Sequence, residues 1–266
     1  MKASGNDTQR KKRKAAEEFT RRLLSTEVGD CIARVVLFGS VAKGYATEES
    51  DVDVMVVALD APEKVREAAL DVSFEMAMES GEMVEPIVHC IDEWRLPASY
   101  LIYTVRKKGQ EIYSMDEDKV KVEECRGYSL LAQEYLQGAE QNFHNGAYRI
   151  AIDAAYNAAE LCAKGLLLLK LEELPATHGG IINKIGELYV KPGLIPRELG
   201  RRLHTAFILR NQARYEPHVR LGKDEAVEAI ETARAMCEAL ASQLQEFEGQ
   251  RPTSRKPGNL REVTGE

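Results

Sequence analysis

The sequence predicts an α/β domain followed by an all-α bundle. Three observations carry that reading. Helical and strand-like patterns alternate up to about residue 113, strand patterning stops after the charged stretch MDEDK at 115–119, and 266 residues let each half bury its own core. The expected divisions are 1–115 for the first domain, 120–248 for the second, and a disordered tail over 249–266.

A first helix is expected over about 10–27, with the basic run RKKRK at 10–14 as its solvated start. The apolar run ARVVLF at 33–38 reads as a strand, followed by a short helical turn and a second strand, VDVMVV, at 52–57. Pro62 opens an amphipathic helix that lasts to about Ser80. VEPIVHCI at 84–91 reads as a third strand, LPASYLIYTVRKKG at 96–109 as helical, and EIYS at 111–114 as a short edge strand. MDEDK is read as a connector. Beyond it Tyr128, Leu131, Tyr135, Ala139 and Phe143 recur at helical spacing, and Asn145-Gly146 breaks the run. A second stripe follows through Ala147, Ile150, Ala154, Ala158, Leu161, Gly165 and Leu168. Helices over about 196–214 and 223–246, with a weaker segment at 179–190, complete a bundle.

Composition narrows the function. With 44% hydrophobic and 30% charged residues the chain reads as an ordinary soluble protein. No apolar run approaches the roughly 20 residues needed to cross a bilayer; the longest is GLLLL at 165–169. The polar, basic start does not resemble a secretory signal, and a cytoplasmic protein is expected. The five cysteines are scattered without CxxC pairing, which suggests reduced thiols and neither a zinc site nor a disulfide framework. A net charge of −7 and a pI near 5.5 argue against indiscriminate binding to a phosphate backbone.

The chemistry concentrates in LFGSVAKGYATEESDVDVMVV. Asp51 and Asp53 are one residue apart on a strand, so both point to one face, about 6.5–7 Å apart. Two like charges there repel each other and are costly to desolvate, unless a divalent cation sits between them. Gly39-Ser40, at the end of the preceding strand, offers a close backbone approach and free N–H groups that suit a triphosphate. Together these describe a site for metal-assisted attack on a nucleoside triphosphate.

Gly39-Ser40, ten residues and Asp51-x-Asp53 resemble the GS-x10-D-x-D signature of the minimal nucleotidyltransferases of the polymerase β-like superfamily. Lys43 and Gly44 continue that pattern, and Ser50 precedes the first aspartate as is usual there. The resemblance implies a small mixed sheet, two Mg²⁺ ions on a triphosphate (ATP being the expected one) and a third carboxylate on the next strand. Glu85 is the candidate; Glu82 lies before the strand. Gly39, Ser40, Lys43 and Gly44 would bind the nucleotide. Asp51, Asp53 and Glu85 would be the catalytic and metal-binding set.

RNQARYEPH and the helices around it resemble a HEPN domain, a helical module often paired with these transferases. The residues that match are Arg210, Asn211, Arg214 and His218. Ribonuclease members place His after four to six residues intervening from their Arg, whereas seven residues separate Arg210 from His218 and three separate Arg214 from it. RNA is therefore not the favoured partner. The resemblance implies a protein tyrosine or a small hydroxylated molecule as acceptor, a toxin–antitoxin or defence setting, and a homodimer through the helical domain. Helical phase puts Arg210 on the apolar face of its helix, where it would need a partner across a domain or dimer contact. His178 reads as a lone loop histidine, and His218, after Pro217, as a bystander.

Overall fold

The structure is a computed structural model that describes residues 2–97, 99–250 and 259–260. Two compact units meet in the chain between Val120 and Lys121, and the short C-terminal strand belongs with the first.

In the first unit, helix α1 (Lys2–Leu24) precedes β1 (Ile32–Leu37). The short helix α2 (Gly39–Lys43) and strand β2 (Val52–Ala58) follow. Helix α3 (Pro62–Ser80) leads to β3 (Val84–Cys90), then α4 (Ile91–Arg95), α5 (Tyr100–Lys108) and β4 (Gln110–Ser114). The sheet order is β3-β2-β1-β4-β5, with β5 formed by Asn259–Leu260. Strand β1 runs antiparallel to β2 and β4, whereas β2 and β3 are parallel, so the sheet is mixed. The parallel pair needs a crossover, and α3 supplies it, burying Val65, Ala69, Val72 and Met76. Strands β1 and β2 are buried along nearly their whole length, apart from half-buried Arg34 and Asp53.

Three expectations change here. The basic run is not a solvated helix start: α1 begins well before it, and Lys12 is only 4% exposed. Its position falls on the same helical stripe as Ala16, Phe19 and Leu23, so its stem packs inward. Its ammonium meets Glu82 at 3.1 Å, and Lys11 reaches the same carboxylate at 2.8 Å. EIYS is not the sheet edge, because Ser114 and Tyr113 pair with Asn259 and Leu260 of the expected tail. Gly249 also departs from the tail, as the last residue of a helix. The rest of that tail, beyond Gln250, lies outside the described residues.

The stretch read as a connector is the third. Helix α6 (Glu117–His144) starts inside it. Arg34 of β1 explains the charge there, holding Glu111 at 2.6 Å and Glu117 at 2.5 Å, while Arg95 holds the other oxygen of Glu117 at 2.7 Å.

In the second unit α6 is followed by α7 (Tyr148–Leu168), α8 (His178–Ile185), one π-helical turn (Gly186–Val190), α9 (Arg197–Tyr215) and α10 (Lys223–Gly249). Its core gathers Ile152, Leu166, Leu167, Tyr189, Leu203, Met236 and Leu240 around an alanine-rich centre. No described helix is long and apolar enough to cross a membrane.

Candidate active site

The antiparallel pairing of β1 and β2 brings the end of one strand to the start of the other. Leu37 faces Val54, and the Phe38 N–H donates to the Asp53 carbonyl at 3.0 Å. Gly39 therefore lies against the Asp53 side chain. Its φ is +71°, and a Cβ built on it would stand 1.8 Å from the Asp53 carboxylate oxygen. Only glycine satisfies both demands. Asp51 is exposed, just before β2 begins, and Asp53 is half-buried within the strand; continued strand alternation turns the two to one side.

Burial, first, and then the charge of Asp51 push the Asp53 carboxyl above its ordinary value, while Lys43 pulls it back. This is the electrostatic setting that a divalent cation relieves, so the pair fits a metal. In the parallel ladder Glu85 stands directly beside Asp53, on the same face but exposed. Among the described residues no three His, Cys, Asp or Glu side chains are gathered to hold a metal ion. Glu85 is thus a neighbour of the aspartate pair without closing a three-carboxylate cage. Glu82 is committed to Lys11 and Lys12.

The loop between Gly39 and Asp51 is shaped by contacts that motif reading does not reveal. Gln9 donates to the Val41 carbonyl and accepts from the Ala46 N–H at 3.2 Å. Gln110 donates to the Ala42 carbonyl at 2.7 Å. Gly44 closes α2 in the left-handed region, at φ +83°. Lys43 is exposed beside Tyr45, its ammonium 5.8 Å from the ring centre. The Ser50 hydroxyl accepts from the Thr47 N–H at 2.9 Å, closing the turn that delivers Asp51. Ser40 is half-buried, one residue into α2. Gln9 and Gln110 lie 32 and 68 residues from the carbonyls they hold, so no local pattern announces them.

Residues 22–118 match the polymerase beta nucleotidyltransferase family, and residues 130–244 match the HEPN domain. A Methanocaldococcus jannaschii protein named as a candidate toxin is 37% identical over 93 residues, which are 35% of this chain and 69% of that protein. The chain belongs to the polymerase β nucleotidyltransferases. A second candidate toxin of that organism is 27% identical over 36% of this chain and 64% of its own length. A protein named there as a candidate protein adenylyltransferase is 33% identical over 25% of this chain and 68% of its own length. This nucleotidyltransferase carries its HEPN domain as a second unit in the same chain.

The HEPN residues sit as follows. Arg210 is 7% exposed on α9. Its partners come from its own unit: Asp153 of α7 at 3.7 Å, Asn211 at 3.1 Å, and the ring of Tyr156 at 5.8 Å. Here α7 presents Asp153 to the apolar face of α9, so the buried guanidinium has a carboxylate partner within its own unit. Arg214 grips both oxygens of Asp153, at 2.5 and 3.0 Å. His218 is exposed beyond the end of α9, and no described interaction joins it to Arg210. His178 is not alone, since its Nδ1 lies 2.8 Å from buried Glu160, beside Tyr156 and Phe207. Arg149, unforeseen in the sequence, donates to the carbonyls of Gln212, Ala213, Glu216 and Val219.

Proposed function

We propose that the chain transfers AMP from ATP to a protein hydroxyl in a Mg²⁺-dependent reaction, in a toxin–antitoxin or defence setting. One observation carries the reading: the backbone of Gly39 is pressed against Asp53, with Asp51 on the same face, where a glycine-led helix start and a carboxylate pair share one end of the sheet. The name of one relative, a candidate protein adenylyltransferase, supports the adenylyl group and the protein acceptor. A small hydroxylated acceptor is the alternative outcome of the test below.

In this reading Asp51 and Asp53 would hold divalent cations, which would supply positive charge against the triphosphate. The N–H groups at Gly39 and Ser40 and the ammonium of Lys43 orient the phosphates. Gly44 ends α2 and keeps Lys43 at the rim. Glu85 receives the proton of the acceptor hydroxyl, whose oxygen bonds to the α-phosphorus as the bond to pyrophosphate breaks. Gln9 and Gln110 position the loop and touch no reacting atom.

The decisive experiment incubates the protein with α-labelled ATP, CTP, GTP and UTP, with Mg²⁺ or with EDTA. Label from ATP on protein, only with the metal, is the expected result. Label on a small molecule would replace the acceptor. No label from any triphosphate, in a folded protein given a whole-cell extract as acceptor source, would overturn the assignment.

Ribonuclease action by the helical unit has no comparable support, because Arg210 and Arg214 are spent on Asp153 and His218 stands apart.

A further inference from the structure

Cys162 of α7 and Cys237 of α10 face each other in the helical unit with their sulfurs 3.4 Å apart. Cys162 is fully buried and Cys237 partly exposed, so one sulfur is shielded and the other can be reached. The seam around them is built of small residues: Ala155, Ala158 and Ala159 on α7, Ala229 and Ala233 on α10, all buried. One turn beyond the pair, a Cβ on Gly165 would come within 3.0 Å of the Leu240 side chain, so the helices are in close contact there as well. A disulfide requires sulfurs at about 2.05 Å and Cα atoms within about 7 Å. The sulfurs, at 3.4 Å, need to approach by little more than an ångström to reach that bond length.

We propose that Cys162 and Cys237 form an oxidisable dithiol, a modification site at which a peroxide staples α7 to α10. The order of events follows from the asymmetry. The Cys162 S–H donates to the Cys237 sulfur, and that hydrogen bond holds the Cys237 thiol below its ordinary value. The same bond, together with burial, pushes Cys162 up. Cys237, as thiolate, attacks one oxygen of the peroxide. The S–O bond forms, the O–O bond breaks, and hydroxide departs, taking up the proton Cys237 had released. Cys162 then attacks the Cys237 sulfur; the S–S bond forms, the S–O bond breaks, and the second hydroxide leaves as water with the Cys162 proton. Two thiols lose two electrons and two protons, and one peroxide becomes two waters.

The other thiols are placed differently. Cys125 is buried and donates to the Gly165 carbonyl at 3.1 Å. Cys31 and Cys90 belong to the first unit. Cross-linking residues 75 apart in sequence restricts the unfolded chain strongly, and the oxidised protein should melt roughly 10 °C higher.

The test treats the reduced full chain with a small molar excess of hydrogen peroxide at neutral pH, then maps peptides without reduction. The expected product is a linked Cys162–Cys237 peptide lacking two hydrogens, with a raised melting temperature that dithiothreitol reverses. Cys237→Ser should lose both effects, and the Cys31→Ser, Cys90→Ser double variant should keep both. Because the mapping is done on the wild type, misfolding of a variant does not decide the outcome. Sulfinic acid on Cys237 with Cys162 still a free thiol would overturn the proposal, as would linked peptides that join other cysteines instead.

Discussion

At the level of single residues, the site rests on one contact, between a glycine and a carboxylate. Gly39→Ala would force a methyl into the Asp53 carboxylate from a backbone that L residues rarely adopt. The expected cost is about 1–3 kcal/mol of stability, with transfer activity abolished because Asp53 must swing away. Urea unfolding and the labelled-ATP assay separate the two effects. Asp53→Asn tests the electrostatics. Burial and Asp51 raise the folded-state value of Asp53, so its ionised form opposes folding: the stability present below the ordinary carboxylate value of 3.8 is lost as pH rises through the raised value. The asparagine variant should therefore melt higher than wild type at neutral pH and not at pH near 3, while transferring no nucleotide. A variant that melts lower at neutral pH would contradict this.

At the level of elements, the end of α9 depends on a single arginine from α7. Arg149 donates to four carbonyls of the helix end and the following turn; those of Gln212 and Glu216 also accept backbone N–H groups, from Glu216 and Val219. Arg149→Ala should cost about 2–3 kcal/mol in chemical unfolding, and Arg149→Lys should recover little, because one ammonium cannot span four acceptors. Arg210→Ala should cost about 1–3 kcal/mol, since it deletes packing on Tyr156 and one partner of Asp153 while Arg214 keeps the carboxylate paired. His218→Ala, on the exposed turn, should change stability by no more than about 0.5 kcal/mol. Metal-independent RNA cleavage by the wild type that disappears in His218→Ala would show that the helical unit is an enzyme in its own right.

For the whole molecule, the expectation is linkage between metal, nucleotide and folding. Mg²⁺ and ATP together should raise the melting temperature with ligand concentration by mass action, and EDTA should remove the effect. In Asp51→Asn the shift should vanish while the apoprotein remains folded. An identical ATP-induced shift with and without metal would count against the carboxylate pair as its site.

The amino-acid sequence alone determined the two-unit order, most helices and four of the strands, because helical stripes and apolar strand runs are local consequences of burial on one or both faces. It also marked Gly39, Asp51 and Asp53, whose fixed spacing is a local property of a strand, turn and strand. What tertiary structure decided is everything that joins distant positions. Lys12 turned inward because Glu82 awaited it, and the presumed connector became helix where Arg34 and Arg95 met Glu117. Asn259–Leu260 capped the sheet edge, Gln9 and Gln110 fixed the loop, and His178 found Glu160. Cys162 and Cys237 came into contact across a sequence separation of 75. Each depends on which surfaces the packed helices and strands bring together, and periodicity along one segment carries no information about the segment opposite.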